Sequence, residues 1–225
     1  MKIFVISLGG SLIVPDEIDV VFLKKFKSLI EKYVKKGFRF VLMAGGGKTA
    51  RKYMSAVEKI SKLHTEDVDW LGIHATRINA HLLRSIFKMH AHSRIIRNPK
   101  AKFDFKKSII VAGGWQPGSS SDYDAVLLAK TLNVKTVLNL SNIEYAYDKD
   151  PKKFKDAKKI KKISWVDFRK IVGDKWVPGS NLPFDPIASR EAANNGVSVI
   201  IANGKNLKNL ENIFLGKDFK GTIIG

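Results

Sequence analysis

Residues 41–52 read VLMAGGGKTARK: an apolar run, three glycines, then Lys-Thr. The phosphate loop of P-loop nucleoside triphosphatases is written G-x-x-x-x-G-K-S/T. Gly47, Lys48 and Thr49 supply its last three positions, but its first glycine falls on Leu42, inside the apolar run. The motif fails there. The segment reads instead as a buried strand, a glycine turn and the start of a helix.

The same order of parts recurs along the chain. IFVIS (3–7), FRFVLMA (38–44), SIIVA (108–112), TVLNL (136–140) and VSVIIA (197–202) are short apolar runs. GGS, GGGK, GGWQPGSSSD and SNIEYAYD follow the first four, and NGK follows the fifth. Helical spacing fills the intervals at 19–37, 48–60, 70–90, 122–133 and 185–196. The first of these helices stops at Gly37, and the last has Asp185 as N-cap, Pro186 in its first position and Gly196 past its end. Apolar strands alternating with helices predict an α/β fold with a largely parallel sheet covered on both faces. Ligands in such sheets gather beyond the carboxyl ends of the strands, where the first four turns fall. The whole of 1–225 reads as one domain, with an irregular, basic subdomain or lid around 141–183.

Composition narrows the class. The chain is 44% hydrophobic and has no long polar tract, which excludes a disordered protein. It has no cysteine, so disulfides and zinc-thiolate sites are excluded, in keeping with a cytoplasmic location. MKIFVISLGGSLIV lacks the continuous apolar core and small-residue cleavage site of a signal peptide, and no apolar run approaches the ~18 residues of a membrane span. The net charge of +19 fits an anionic partner or a lysine-rich solvated surface, with one dense stretch at KDPKKFKDAKKIKK (149–162). Aromatics are not interleaved with the basic stretches as nucleic-acid stacking platforms require. The histidines have neither metal-ligand nor triad context.

A glycine between strand and helix lets the backbone approach a phosphate, and the helix N-terminus favours negative charge. Gly9-Gly10-Ser11, Gly45-Gly46-Gly47 and Gly113-Gly114 share one edge of the inferred sheet. Three such turns predict two phosphorylated ligands or one long phosphate chain, hence phosphoryl transfer.

The wording and order of these turns resemble the amino acid kinase superfamily, and within it the archaeal-type UMP kinases. The resemblance rests on ISLGGSL, AGGGKTARKY, DWLGIHATRINAHLL, GGWQPGSSSD, SNIEYAYDKDPKK and PFDPIASREAANNGVSVIIANG, in that order and nearly end to end. It implies transfer of the ATP γ-phosphoryl group to UMP with Mg²⁺, by a three-layer αβα sandwich assembled as a homohexamer. By position it assigns Ser7, Gly9, Gly10 and Ser11 to the ATP phosphates and Gly47 to the boundary between the nucleotides. Asn142, Tyr147 and Asp150 fall at ATP positions. Gly46, Asp69, Trp115, Gly118, Ser119, Ser120 and Ser121 fall to UMP. Arg51, Asp122 and Asp185 carry the catalytic assignments.

Each assignment has a plainer alternative. Arg51 suits a phosphate grip, because a guanidinium holds two oxygens at once, but is equally placed as a solvated helix residue. The same choice applies to Lys48. Asp69 accepts from ribose hydroxyls or caps a helix starting at Trp70. Asp122 caps the next helix or orders the site, and Asp185 caps its own. Ser7 stands where several relatives have lysine, which leaves charge neutralisation to Lys48, Arg51 and Mg²⁺. Tyr145 replaces a family glycine and must alter the turn or the adenine pocket. A sister kinase with another acceptor and a non-catalytic nucleotide sensor are the alternative functions.

Overall fold

The computed structural model describes residues 2–62, 64–151, 153–175 and 182–225. In chain order the elements are β1 (Ile3–Leu8), α1 (Gly10–Ile13), α2 (Val20–Val34), β2 (Arg39–Ala44), α3 (Gly47–Ile60), α4 (Thr65–Ile86), β3 (Ile109–Ala112), α5 (Ser121–Thr131) and β4 (Thr136–Ser141). They continue with β5 (Ala146–Tyr147), β6 (Lys159–Ile160), β7 (Lys162–Ile163), α6 (Trp165–Val172), α7 (Pro186–Asn194), β8 (Ser198–Asn203), α8 (Leu207–Leu215) and β9 (Thr222–Ile224).

The main sheet has seven strands in the order β3-β2-β1-β4-β8-β9-β7. All pairs from β3 to β8 are parallel, and β9 closes against β8 antiparallel. From β1 the chain builds outward to β2 and β3 on one side; from β4 it builds to β8 on the other. The switch point therefore lies between β1 and β4, and their carboxyl ends open the crevice in which a parallel sheet takes its ligand.

Strand alternation divides the core in two. Phe4, Ile6 and Leu8 of β1, with Phe40 and Leu42 of β2, pack against α2, α4 and α8. Val5, Val41, Met43 and Val137 face α5, α6 and α7. Successive side chains of a strand point to opposite faces. Hence Ser7 and Asn139, two residues beyond Val5 and Val137, face the α5 layer. That parity positions the site described below.

Three boundaries differ from expectation. The helix predicted to start at Trp70 begins at Thr65, with Glu66 and Asp67 in its first turn, where carboxylates favour the helix dipole. Asp69 is therefore an interior residue, not a cap. Ser120, not Asp122, caps α5 by accepting from the Tyr123 N–H. The 141–183 segment also divides. β7 joins the main sheet and α6 enters the second core through Trp165 and Phe168, while β5 and β6 form a separate two-stranded sheet. Residues 152 and 176–181 of that segment lie outside the described residues.

The glycines of the first two turns are explained by their contact with one another. A Cβ on Gly10 would overlap the backbone of Gly47, and one on Gly45 would overlap Gly10. Gly47 also has φ +65°, where a side chain is strained. Gly10→Ala should therefore destabilise the protein by about 2–3 kcal/mol in urea titrations, as overpacking does. Gly37→Ala, at φ +83° but in open space, should cost only about 1 kcal/mol.

Candidate active site

Asp122 sits at the switch point. Within the first turn of α5, its Oδ1 accepts from the Ser7 hydroxyl at 2.9 Å and from the Asn139 side-chain amide at 3.1 Å. Ser7 and Asn139 are register partners on the adjacent strands β1 and β4. One carboxylate oxygen thus spans the two strands where their ends diverge. Burial, then the negative charge of Asp185, push Asp122 up to about 7, against the opposing pull of Ser7 and Asn139.

Asp185 comes from the neighbouring α7. Its Oδ1 caps that helix, accepting from the Ala188 N–H at 2.6 Å. Its Oδ2 is buried with no hydrogen-bond partner among the described residues, and burial raises its pKa as well. A buried oxygen left unpaired is costly. Two carboxylates, one with a spare lone-pair oxygen, form an all-oxygen donor set of the kind a hard divalent cation takes.

The first two turns have already used part of their donor capacity. Gly9 N–H donates to Leu140 O, Gly45 N–H to Leu8 O and Lys48 N–H to Val14 O. The Gly9 N–H is therefore engaged within the fold. The N–H groups of Gly10, Ser11, Gly46 and Gly47, at the starts of α1 and α3, have no backbone acceptor among the described residues. Arg51, one turn into α3, is exposed and makes no hydrogen bond or ion pair among the described residues. Lys48 is drawn to Asp16, 3.6 Å away, in an exposed pair.

The third turn is satisfied internally, contrary to its reading as an anion cradle. Gly113 N–H donates to Ile96 O, and Ser119 N–H to Gln116 O. Gly114 N–H donates to the Thr76 hydroxyl at 2.7 Å, Trp115 N–H to Asp124 Oδ2 at 2.9 Å and Gly118 N–H to Asp69 Oδ2 at 2.8 Å. Arg77 returns two bonds, to Gly114 O and Trp115 O. Among the groups this turn leaves for a ligand are the Trp115 ring, half-buried beneath the Lys100 ammonium, and the hydroxyls of Ser119 and Ser121. Ser120 Oγ accepts the cap bond of α5, which does not use its O–H as a donor.

The ATP-side residues lie past β4. Asn142 and Asp150 are exposed, and Tyr147 pairs with Lys159 across the small sheet. Tyr145 is accommodated by burial, with Lys159 5.3 Å above its ring, while Ala146 N–H is pinned to Thr222. The structure thus gathers Ser7, Asp122 and Asp185 at one point. Gly46, Gly47 and Arg51 lie on one flank, and Asn142, Tyr147 and Asp150 follow β4.

Five residues escaped the sequence reading: Thr76, Arg77, Asn79, Asp124 and Asn139. Asn79 holds the second turn by donating to Gly45 O and Gly46 O. Asn139 carried a usable signal, an amide inside an apolar strand (TVLNLS). So did Asp124, an acid leading the apolar run AVLLA.

Known proteins are similar to this chain over nearly its whole length. The family model described as "Amino acid kinase family" matches residues 2–203. A uridylate kinase of Pyrococcus abyssi is 33% identical over 223 residues, covering 98% of each chain. One of Thermoplasma volcanium is 33% identical over 216 residues, covering 95% of this chain and 93% of its own. The crystal structure of uridylate kinase from Archaeoglobus fulgidus superposes with TM-score 0.81 at 27% identity, covering 100% of both chains. UMP kinase from Bacillus anthracis shares the fold, with TM-score 0.78 at 21% identity over 100% of this chain and 96% of its own. By sequence and by fold together, the chain belongs to the amino acid kinase family.

Proposed function

We propose that this protein transfers the γ-phosphoryl group of ATP to UMP, giving UDP and ADP, as a step of pyrimidine nucleotide synthesis. The observation that carries the reading is full-length similarity to uridylate kinases, combined with a carboxylate anchored by Ser7 and Asn139 at the mouth of the sheet. A phosphate oxygen of UMP attacks the γ-phosphorus, the bond to the ADP oxygen breaks, and ADP leaves with its electron pair. Catalysis of this kind rests on positioning and charge.

Gly10, Ser11, Gly46 and Gly47 present N–H groups to the phosphates, and Arg51 supplies a mobile bidentate grip. Ser119 and Ser121 offer hydroxyls to the acceptor phosphate. Asp122 and Asp185 would hold Mg²⁺, which fits their hard oxygens and the unpaired Asp185 Oδ2. When bound, the ion offsets charge on the phosphates.

Assembly as a homo-oligomer is part of the same reading. Ile18, Ile78 and Tyr53 on the α3–α4 side are 50%, 63% and 62% exposed, an apolar surface suited to a second copy. No helix among the described residues is long and apolar enough to cross a membrane, and we place the enzyme in the cytoplasm.

ADP release from Mg-ATP should be fastest with UMP, at least about tenfold above CMP, dUMP, GMP or carbamate, when each is offered separately. Binding of ATP or UMP without turnover would favour the sensor reading instead. Asp122→Asn should lower kcat by about 10²-fold, the scale of losing a preorganised electrostatic group.

Asp122 also makes a pH prediction. Its folded-state pKa of about 7 lies above its ordinary 3.8. The stability it contributes is therefore present at low pH and lost as pH rises through about 7. Asp122→Asn cannot ionise, so its unfolding free energy should gain on the parent's between pH about 5 and about 8, by an amount on the order of 1 kcal/mol or more. A gap that narrows over that range would contradict the assignment.

A further inference from the structure

Asp124 has no part in the chemistry above, yet at 1% exposure it is the most enclosed carboxylate among the described residues. Two positions after Asp122 on α5, it projects away from that residue's face of the helix. Its Oδ2 holds the Trp115 N–H, while its Oδ1 is buried with no hydrogen-bond partner among the described residues.

An uncharged acceptor would satisfy the Trp115 N–H without enclosing a charge. The charge finds its counterpart in Arg77, whose guanidinium lies 5.6 Å from the Trp70 ring and is opposed by the charge of Arg97. Together Thr76, Arg77 and Asp124 take up every backbone N–H and C=O of Gly114 and Trp115. Such a turn has no freedom to tilt.

We propose that Asp124 is a positioning residue for the acceptor nucleotide: through Arg77 and the Trp115 amide it fixes the 114–118 turn that leads into Ser119–Ser121. This rests on the UMP reading above. Asp69 ties down the far end of the same turn at Gly118, so Asp124 and Asp69 bracket it. The donor side of the site shares none of these bonds, and a loosened turn should be felt by the acceptor alone.

The test is steady-state kinetics of Asp124→Ala and Asp124→Asn, with UMP and Mg-ATP varied in turn. Asp124→Ala should raise KM for UMP about tenfold, with KM for Mg-ATP within about twofold and kcat within about threefold of the parent. Asp124→Asn, whose carbonyl still accepts the Trp115 N–H, should recover most of this, to within about threefold of the parent's KM for UMP. If Asp124→Ala does not fold, a selective rise in KM for UMP in Asp124→Asn carries the proposal. An unchanged KM for UMP in the folded variants, or a parallel rise for both nucleotides, overturns it. Absence of turnover with UMP in the parent overturns the kinase reading and this inference together. Parent turnover with an unmoved acceptor KM overturns the inference alone.

Discussion

Two strands distant in sequence, β1 and β4, lie side by side at the centre of the sheet and part company at their carboxyl ends. Their register sets Ser7 opposite Asn139, and strand parity turns both toward α5. Asp122 is held by this pair. Shifting either strand by one residue would send its donor to the opposite core. The carboxylate would then be held by one strand instead of two. The packing of two apolar layers is thus also what fixes a charged group at the site.

The charge pattern around this point is deliberate in its imbalance. A chain of net charge +19 keeps its lysines and Arg51 largely at the surface, while Asp124 and Asp185 are buried and Asp122 half-buried. Burial raises all three carboxylates, and hydrogen-bond donors oppose each rise. Exposed cations attract anionic ligands over a Debye length. Enclosed carboxylates act only at contact, where they order loops or meet a cation. The two populations do different work at different ranges.

The glycine turns also divide by role. Gly10, Gly45 and Gly47 permit backbone to meet backbone across the first two turns, and only then leave N–H groups at two helix starts. The third turn is bound at Gly114, Trp115 and Gly118 by side chains of α4 and α5. It is a rigid support, and its contribution to a ligand is the position of a ring and of hydroxyls. Similarity to uridylate kinases spans both kinds of turn.

The sequence alone determined the α/β class, the five central strands and the helices between them. Hydrophobic periodicity and glycine stops are local properties, readable wherever they occur. It also singled out Ser7, Asp122 and Asp185, because they stand in turns and caps with recognisable wording. What it could not determine was which polar groups would be consumed by the fold. Gly9 lost its N–H to Leu140, Asp69 became an interior helix residue bonded to Gly118, and Ser120 displaced Asp122 as cap. Asn139, Arg77 and Asp124 acquired roles only when β4, α4 and α5 were brought against turns far away in the chain. Hydrogen-bond satisfaction in a buried site is settled between distant segments, and only the tertiary structure decides it.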